Sequence, residues 1–242
     1  MPLLSIIKKG FNYAQDGPGN RLIYHLSGCN LRCPWCANPE TFVSGTASEQ
    51  VSPQDVLHQV LSAKSILIDS GGVTFTGGEP TLQSVALIAA LSLLRENDIH
   101  TAIQTNGTCD DILLFLPHLS LLIIDFKHYD SSKHKSIVGM TNKKVIDNIR
   151  YASSFGLPIW IRTPLINGFN SSDDDISGFL AVYKTLDTTH LSFELLPYHE
   201  YGRDKWKAAG LEYSVQDGAV DRDTVKKFES AYIDAGLKII RT

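Results

Sequence analysis

RLIYHLSGCNLRCPWC, residues 21–36, joins a strand-like segment to a group of closely spaced cysteines. Its first eight residues have the apolar and aromatic content that is typical of a strand. A C-x3-C-x2-C pattern follows, formed by Cys29, Cys33 and Cys36. The rest of the chain contains one further cysteine, Cys109. Disulfides use cysteines in pairs and structural zinc usually takes four ligands, so a group of three raises the question of what it binds.

Strand-like and helix-like segments alternate along the chain after residue 20. Five further strands are predicted at GVTFTGG (72–78), HTAIQTNG (100–107), LSLLIIDFK (119–127), LPIWIRTP (157–164) and HLSFELLPYH (190–199). Helices are predicted from Pro53 behind an N-cap at Ser52, over 82–97, between Cys109 and Pro117, after an N-cap at Asn142, over 171–184 and over 221–236. An additional strand is predicted near Leu3–Lys8.

This alternation of strands and helices predicts an α/β fold with a parallel sheet and right-handed crossovers. Eight such units would close a TIM barrel, so six predict a partial (β/α)6 TIM-like barrel that is open on one side. The chain shows no internal repeat and no interdomain linker, and we therefore expect a single domain over residues 1–242.

Polar motifs follow the predicted strands at their carboxyl ends. They are the cysteine loop, TGGEP after the second strand, QTNG after the third, Asp125 and Lys127 at the end of the fourth, Arg162 at the end of the fifth and His199 at the end of the sixth. The carboxyl ends of barrel strands meet around one mouth, where active sites form. We therefore expect these motifs to converge on a single site.

Composition narrows the functional classes. The chain has 242 residues, 43% of them hydrophobic, and a net charge of −4 without a long basic run. These features argue against a general nucleic-acid binder or a membrane-surface protein. The N-terminus lacks the pattern of a signal peptide, and four cysteines are too few for a disulfide framework. We expect a cytoplasmic protein that is a monomer.

The residues alone leave two interpretations of the three cysteines open. One is a zinc site with His25 or His199 as the fourth ligand. The other is an iron–sulfur cluster. A cubane cluster has four irons, so three thiolates would leave one iron free to bind something else. Cys109 lies at the start of a predicted helix, far along the chain from the other three, and is not expected to be the missing ligand.

The cysteine loop in LSGCNLRCPWCANPETF, followed by GGVTFTGGEP, resembles the radical S-adenosylmethionine (SAM) superfamily. The resemblance implies one 4Fe–4S cluster, whose open iron is chelated by the amino and carboxylate groups of SAM. It further implies that an electron from the reduced cluster breaks a carbon–sulfur bond, giving methionine and a 5′-deoxyadenosyl radical. In such enzymes the cofactor carries the difficult chemistry and the protein positions it.

A longer set of motifs resembles the glycyl-radical-enzyme activating enzymes, and in particular the type that acts on pyruvate formate-lyase. The motifs are DGPG (16–19), CANPETF, GGVTFTGGEPTLQ, QTNG, DFKHYDSSKHKSIVG, WIRTPLINGFN and ELLPYHEYGRDKWKAAGLEY. Several members carry a ferredoxin-like insert with extra cysteines, but residues 37–71 contain no cysteine. A single cluster without that insert is therefore expected.

The resemblance also implies roles for individual residues. Cys29, Cys33 and Cys36 are the implied cluster ligands. The implied SAM contacts are Trp35 against the adenine, Ala37, Asn38, Gly77 and Gly78 near the ammonium group, Glu79, Thr105, Asn106, Asp125, Lys127, Arg162 at the carboxylate and His199 near the nucleoside. Asp16 is implied to face the glycine loop of a partner protein. No side chain of the chain itself is assigned as the catalytic group.

Two positions depart from the family pattern. Gln104 stands where the family often has an aspartate that helps to hold a monovalent cation, which leaves a cation site here in question. Ala37 stands where histidine is common, so a side-chain contact from that position is lost.

The leading hypothesis is thus an activase that abstracts a hydrogen from a backbone glycine of a glycyl radical enzyme, with pyruvate formate-lyase as the expected partner and flavodoxin or a similar protein as the electron donor. An alternative is a radical SAM enzyme that acts on a small molecule or a peptide. A third, of a different class, is a zinc-stabilised barrel that binds a partner without catalysis.

Overall fold

The computed structural model describes residues 2–43 and 49–242, and these residues form one eight-stranded sheet. Its strands are β1 (Leu4–Tyr13), β2 (Asn20–Leu26), β3 (Glu49–Val51), β4 (Gly72–Gly77), β5 (His100–Thr105), β6 (Leu121–Asp125), β7 (Ile159–Leu165) and β8 (Leu191–Pro197). The spatial order is β3-β1-β2-β4-β5-β6-β7-β8. The predicted single domain includes Met1 and residues 44–48, which lie outside the described residues.

Six strands, β2 and β4 to β8, pair in parallel as predicted. The additional strand near Leu3–Lys8 is confirmed as the longer β1, which pairs antiparallel with both β2 and β3. Among the described strands, β3 and β8 stand at opposite ends of the order and do not pair with each other. The sheet is therefore a partial barrel that is open on one side.

Seven α-helices accompany the sheet in the described residues. They are α1 (Pro53–Ser62), α2 (Ser84–Glu96), α3 (Ser131–Val138), α4 (Lys143–Ser153), α5 (Asp173–Tyr183), α6 (Arg203–Ala208) and α7 (Arg222–Asp234). Ser52 caps α1 in a reciprocal arrangement with Asp55, as its position before Pro53 predicts. In the described ranges, no helix is both long and apolar enough to cross a membrane.

Local differences from the sequence predictions have clear causes. The segment between Cys109 and Pro117 forms two short 3-10 helices, Ile112–Leu114 and Leu116–His118, and the second includes the proline. Asn142 precedes α4 but does not cap it. Its side-chain amide instead donates to the carbonyls of His128 and Tyr129, which fixes the loop after β6.

The helices α3 and α6 were not predicted. For α3 the signals are present in the sequence, because Asp130 accepts from two backbone N–H groups at its start and Gly139 ends it with a φ of 99°. For α6 they are weak, because this helix has six residues and its N-cap residue, Gly202, makes no side-chain cap. The position of α6 depends instead on contacts with a distant part of the chain, the cysteine loop.

One hydrophobic core packs the helices against the sheet. Its aromatic part contains Phe126, Phe179 and Tyr183, with the Phe126 and Phe179 rings 5.6 Å apart and nearly perpendicular. Phe179 projects from α5 and is fully buried. Because large aromatic side chains bury much apolar area, this cluster fixes α5 against the strands that lead to the mouth of the barrel.

Replacing Phe179 by alanine should leave a cavity in this cluster and lower the free energy of unfolding by about 3–5 kcal/mol. Phe155→Ala is the matched control, because that ring is 52% exposed and its loss should change the free energy by less than about 0.5 kcal/mol. Chemical denaturation of the apo-protein, followed by circular dichroism, measures both values. Equal stabilities of the two variants would contradict this account of the core.

At the amino-terminal ends of the strands, Arg21 is fully buried. Its guanidinium donates to Thr74 Oγ1 and to the Val73 carbonyl, both at 2.7 Å, and contacts His100 Nδ1 at 3.2 Å. Burial lowers the pKa of Arg21 to about 10, so the group stays charged at neutral pH. Burial and the nearby Arg21 charge lower the pKa of His100 to about 4, which leaves its Nδ1 free to accept.

Stability should fall when the pH is lowered from 7 to 4.5. Burial lowers the pKa of His25, His100 and His134 each to about 4, whereas unfolded histidine has a pKa of about 6.5. Between these values the unfolded chain binds more protons, so the free energy of unfolding decreases as the pH falls. His100→Gln keeps an acceptor for Arg21 and should reduce this pH dependence, which denaturation at several pH values measures. An unchanged slope would contradict the assignment.

Candidate cofactor site

A cavity lies at the carboxyl ends of the parallel strands and collects most of the predicted site residues. Its lining includes Cys29, Cys33, Trp35, Cys36, Ala37, Asn38, Gly77, Gly78, Thr105, Asn106, Asp125, Lys127 and His199. The polar motifs that follow successive strands therefore converge, as the barrel topology requires. Of the predicted residues, Glu79, Arg162 and Asp16 do not line the cavity.

The cysteine loop follows β2 and is held by backbone contacts. Arg32 N–H donates to the carbonyl of Val138 at the end of α3, at 3.1 Å. Cys36 N–H donates to the carbonyl of Cys33, also at 3.1 Å. Leu31, Cys33 and Val138 form a small buried cluster, against which the other two loop cysteines pack. The end of helix α3 therefore supports the cysteine loop through a backbone hydrogen bond and apolar packing.

Burial raises the pKa of the Cys33 thiol to about 12 and that of Cys36 to about 11. Desolvation disfavours a bare thiolate, so these groups need a positive partner to ionise. The Asn38 N–H group points at Cys36 Sγ from 3.4 Å, and the Lys127 charge favours the thiolate of each loop cysteine. Three soft thiol donors with nearby N–H and ammonium groups match the donor chemistry of an iron–sulfur cluster.

His25 was one candidate for the fourth ligand of a zinc site. It does not line the cavity, and its buried Nδ1 has no hydrogen-bond partner. Among the described residues, no three His, Cys, Asp or Glu side chains are placed to hold a single metal ion together.

The glycine pair after β4 lies against the strand that leads into the cysteine loop. Gly77 has a φ of 109°, and a Cβ there would stand 2.5 Å from the Leu26 nitrogen. A Cβ on Gly78 would stand 1.9 Å from the Gly28 carbonyl oxygen. Only glycine permits this approach, because any side chain would collide with backbone atoms. The two glycines therefore let the end of β4 pack directly against the chain that leads into the cysteine loop, and both line the cavity.

Glu79 is fully buried and ties two motifs together. Its Oε1 accepts from Thr81 N–H at 3.0 Å, from Thr81 Oγ1 at 2.6 Å and from Thr105 Oγ1 at 2.7 Å. Its Oε2 accepts from Asn106 N–H at 2.7 Å. Burial raises the pKa of this carboxyl, and the hydrogen bonds oppose that rise. Glu79 therefore supports the cavity wall from behind.

Asp125 and Lys127 face the same side of the strand end, as their spacing predicts, and both line the cavity. Lys127 Nζ donates to Asp125 Oδ2 at 3.1 Å, and Lys127 is 5% exposed. Burial alone favours its neutral form, but the Asp125 carboxylate, together with the Cys33 sulfur when it is ionised, outweighs burial and raises the pKa of Lys127. A buried positive charge therefore stands beside the cysteines.

The neighbourhood of Gln104 does not fit a monovalent cation. Gln104 Nε2 donates to Asp125 Oδ1 at 3.2 Å, while Lys127 already occupies the other carboxylate oxygen. Gln104 Oε1 in turn accepts from Arg162 at 3.0 Å. An amide N–H group therefore stands where a cation would need an oxygen ligand.

Arg162 is 3% exposed and pairs with Glu194 at 2.6 Å. It also donates to the Gln15 carbonyl in the turn between β1 and β2. In that turn, Asp16 accepts from Asn12 Nδ2 at 2.7 Å, and its carbonyl accepts from Thr74 Oγ1 at 2.6 Å. These contacts place the turn that carries Asp16 beside Arg162, and neither Arg162 nor Asp16 lines the cavity. Their roles towards SAM and a partner protein remain predictions.

Two aromatic side chains, Trp35 and His199, also line the cavity. The Trp35 ring packs against Phe169 with a centroid distance of 5.0 Å, and His199 stacks on Tyr201 at 4.3 Å. Burial lowers the pKa of His199, so the ring is neutral at pH 7. Flat, neutral rings at the edge of a polar cavity suit the stacking of a heterocycle.

Comparison with known proteins decides the family. Residues 23–180 match the model of the radical SAM superfamily, which is more than half of the chain. The chain is a member of the radical SAM superfamily. This membership confirms the resemblance drawn from the cysteine loop and the TGGEP motif. Radical SAM enzymes use a 4Fe–4S cluster and SAM, and the membership assigns both cofactors to this enzyme.

Individual relatives show which members of the superfamily this radical SAM enzyme is similar to. It is 34% identical over 233 residues to the pyruvate formate-lyase-activating enzyme of Staphylococcus aureus (strain USA300), covering 93% of this chain and 92% of the relative. A crystal structure of a domain of the pyruvate-formate lyase-activating enzyme from Bacteroides vulgatus ATCC 8482 shares 28% identity, with a TM-score of 0.59, over 70% of this chain and 97% of that one.

A radical SAM methyltransferase from Sphaerobacter thermophilus shares the fold, with a TM-score of 0.65 at 16% identity, over 99% of this chain and 76% of that one. This second structural relative supports the partial-barrel architecture alone.

The sequence reasoning missed several residues that line the radical SAM cavity. They are Leu31, Thr41, Phe42, Thr76, Pro164, Ile166, Leu196, Pro197 and Tyr198, together with Gln104, which was noted only as a departure. Thr76 and Tyr198 directly precede Gly77 and His199, so strand-end position was a usable signal for them. The apolar residues carried no signal, because a side chain that lines a cavity looks like any other core residue in a sequence.

Glu79→Gln should weaken SAM binding at least tenfold while the cluster still assembles. The glutamine amide would place an N–H donor towards the donors of Thr81, Thr105 or Asn106. At least one buried donor would then be unpaired, at a cost of about 1–3 kcal/mol. Glu96→Gln is the matched control, because Glu96 is exposed at the end of α2. Equilibrium dialysis of SAM against the reconstituted protein measures the affinity. An unchanged affinity would show that the link between the two motifs does not shape the cavity.

Proposed function

We propose that this radical SAM enzyme is an activase that abstracts a hydrogen from a backbone glycine of a glycyl radical enzyme, with pyruvate formate-lyase as the partner. The observation that carries the proposal is the match to pyruvate formate-lyase-activating enzyme along nearly the whole of both chains. The absence of cysteine from residues 37–71 agrees with this type, because it leaves no ligands for a ferredoxin-like insert.

Cys29, Cys33 and Cys36 would hold the cluster through three irons and leave the fourth for SAM. When bound, the cluster and SAM supply one-electron cleavage of the sulfonium and removal of a hydrogen atom from a carbon. The protein's part is to bind and orient. Gly77 and Gly78 would lie at the amino group of SAM, and the rings of Trp35 and His199 would border its nucleoside.

The Asp125–Lys127 pair would complete the SAM site. Lys127 is positively charged and nearly buried, so it can attract the SAM carboxylate with little competition from water. Asp125 holds the ammonium group of Lys127 in place and can accept from a ribose hydroxyl. Lys127 keeps its charge at neutral pH, because its pKa is raised, and it does not need to transfer a proton.

A backbone glycine must reach the cavity from outside, and the open side of the sheet supports a protein substrate. We expect the partly exposed Asp16, in the turn between β1 and β2, to meet the glycine loop of the partner through its carboxylate. We expect flavodoxin or a similar protein to reduce the cluster, and we expect the reaction to take place in the cytoplasm with the activase as a monomer.

The activase proposal predicts a glycyl radical in the partner. Anaerobic protein with a reconstituted cluster, mixed with reductant, SAM and pyruvate formate-lyase, should give a glycyl-radical signal by electron paramagnetic resonance and one deoxyadenosine for each radical formed. Cys33→Ala should abolish both products. Cys109→Ala is the matched control and should retain them, because that thiol does not line the cavity.

If deoxyadenosine forms only when a metabolite or a peptide is added, and not with the partner protein, the enzyme acts on a small molecule or a peptide and the activase proposal is wrong. If metal analysis finds one zinc per chain and no labile sulfide, the protein is the zinc-stabilised barrel without catalysis. No radical in any glycyl radical enzyme of the source organism would overturn the proposal.

A further inference from the structure

Helix α6 contacts the cysteine loop at Cys36, whereas the end of α3 contacts it at Arg32. The indole N–H of Trp206 donates to the carbonyl of Cys36 at 2.9 Å, and Trp206 is 8% exposed. A hydrogen bond from a rigid, buried ring fixes the peptide that follows the third loop cysteine. Nothing in the barrel topology requires this contact, because the two groups are 170 positions apart in the sequence.

Two neighbours of Trp206 strengthen the contact. Lys205 Nζ donates to the Ala37 carbonyl at 2.7 Å and to Asn38 Oδ1 at 3.2 Å. Gly202 lies so close that a Cβ there would stand 2.5 Å from the Cys36 carbonyl oxygen. Two successive carbonyls of the loop are therefore held by two successive side chains of α6.

The same stretch of chain also forms part of the cavity wall. Tyr198 and His199 line the cavity just before α6 begins. Tyr198 shares a hydrogen bond of 2.6 Å with the hydroxyl of Tyr213, whose ring packs edge-on against Trp206 at 5.6 Å. Residues 198–213, which we term the α6 segment, thus join the nucleoside side of the cavity to the backbone of Cys36.

We propose that Trp206 and Lys205 are positioning residues that set the orientation of Cys36 as a cluster ligand and couple it to the occupancy of the SAM cavity. The inference rests on the proposed function, since it takes Cys36 as a ligand. A ligand whose peptide is fixed on both sides holds its iron more firmly than one on a free loop. Binding of SAM against His199 is transmitted to Cys36 through the α6 segment.

Trp206→Phe tests the hydrogen bond while keeping a ring that packs against Phe42 and Tyr213. The anaerobic, reconstituted variant should lose iron to a chelator about three- to tenfold faster than the wild type, as expected for the loss of one hydrogen bond. Addition of SAM should also produce a smaller change in the electron paramagnetic resonance signal of its reduced cluster.

Lys205→Met tests the second contact and should change both measurements in the same direction. Lys207→Met is the matched control, because Lys207 lies on the same helix but is exposed, and its loss changes the net charge equally. Lys207→Met should behave as the wild type. Thermal melting of each apo-protein establishes that the fold is intact, and Lys205→Met carries the test if Trp206→Phe does not fold.

Wild-type iron release and a wild-type response to SAM in both variants would overturn this inference and leave the proposed function standing. Suppose instead that Lys205→Met and Lys207→Met change the measurements equally while Trp206→Phe behaves as the wild type. The effect would then come from the change in net charge, and this result would also overturn the inference. A wild-type protein that takes up no cluster would overturn the inference together with the proposed function.

Discussion

The parallel register of the sheet is the constraint on which the site depends. Parallel hydrogen bonding aligns neighbouring strands so that their carboxyl ends lie on the same side of the barrel, and Asp125 stands directly beside Arg162 in this ladder. Each strand then contributes the loop that follows it to a common mouth. Residues that are far apart in the sequence, such as Cys33 and His199, can line one cavity only because six strands repeat this arrangement.

At that mouth, the buried carboxylate of Glu79 has a structural role, because it links the loops that follow β4 and β5. No described cation lies within ion-pair distance of it, and hydroxyl and backbone N–H donors from two loops satisfy its oxygens. Burying a charge is unfavourable unless such donors surround it. These hydrogen bonds join the loop after β4 to the loop after β5, next to the two glycines that line the cavity.

The cysteine loop is supported from two sides by elements that are short and far away in sequence. Val138 at the end of α3 accepts a backbone hydrogen bond from Arg32, while Trp206 in α6 donates to Cys36. A loop that must present three thiols to one cluster loses much conformational freedom, and these contacts hold it in advance.

The sequence by itself determined the six parallel strands, the open barrel and the meeting of the cysteine, TGGEP, QTNG and Asp125–Lys127 motifs, since hydrophobic periodicity and strand-end position are local properties. Only the tertiary structure decided that Glu79 and Arg162 do not line the cavity. It also decided that Gln104 donates a hydrogen bond to Asp125 and that Trp206 of α6 donates one to Cys36. Each of these depends on which donor or acceptor lies nearby in space, and the order of residues along the chain does not carry that information.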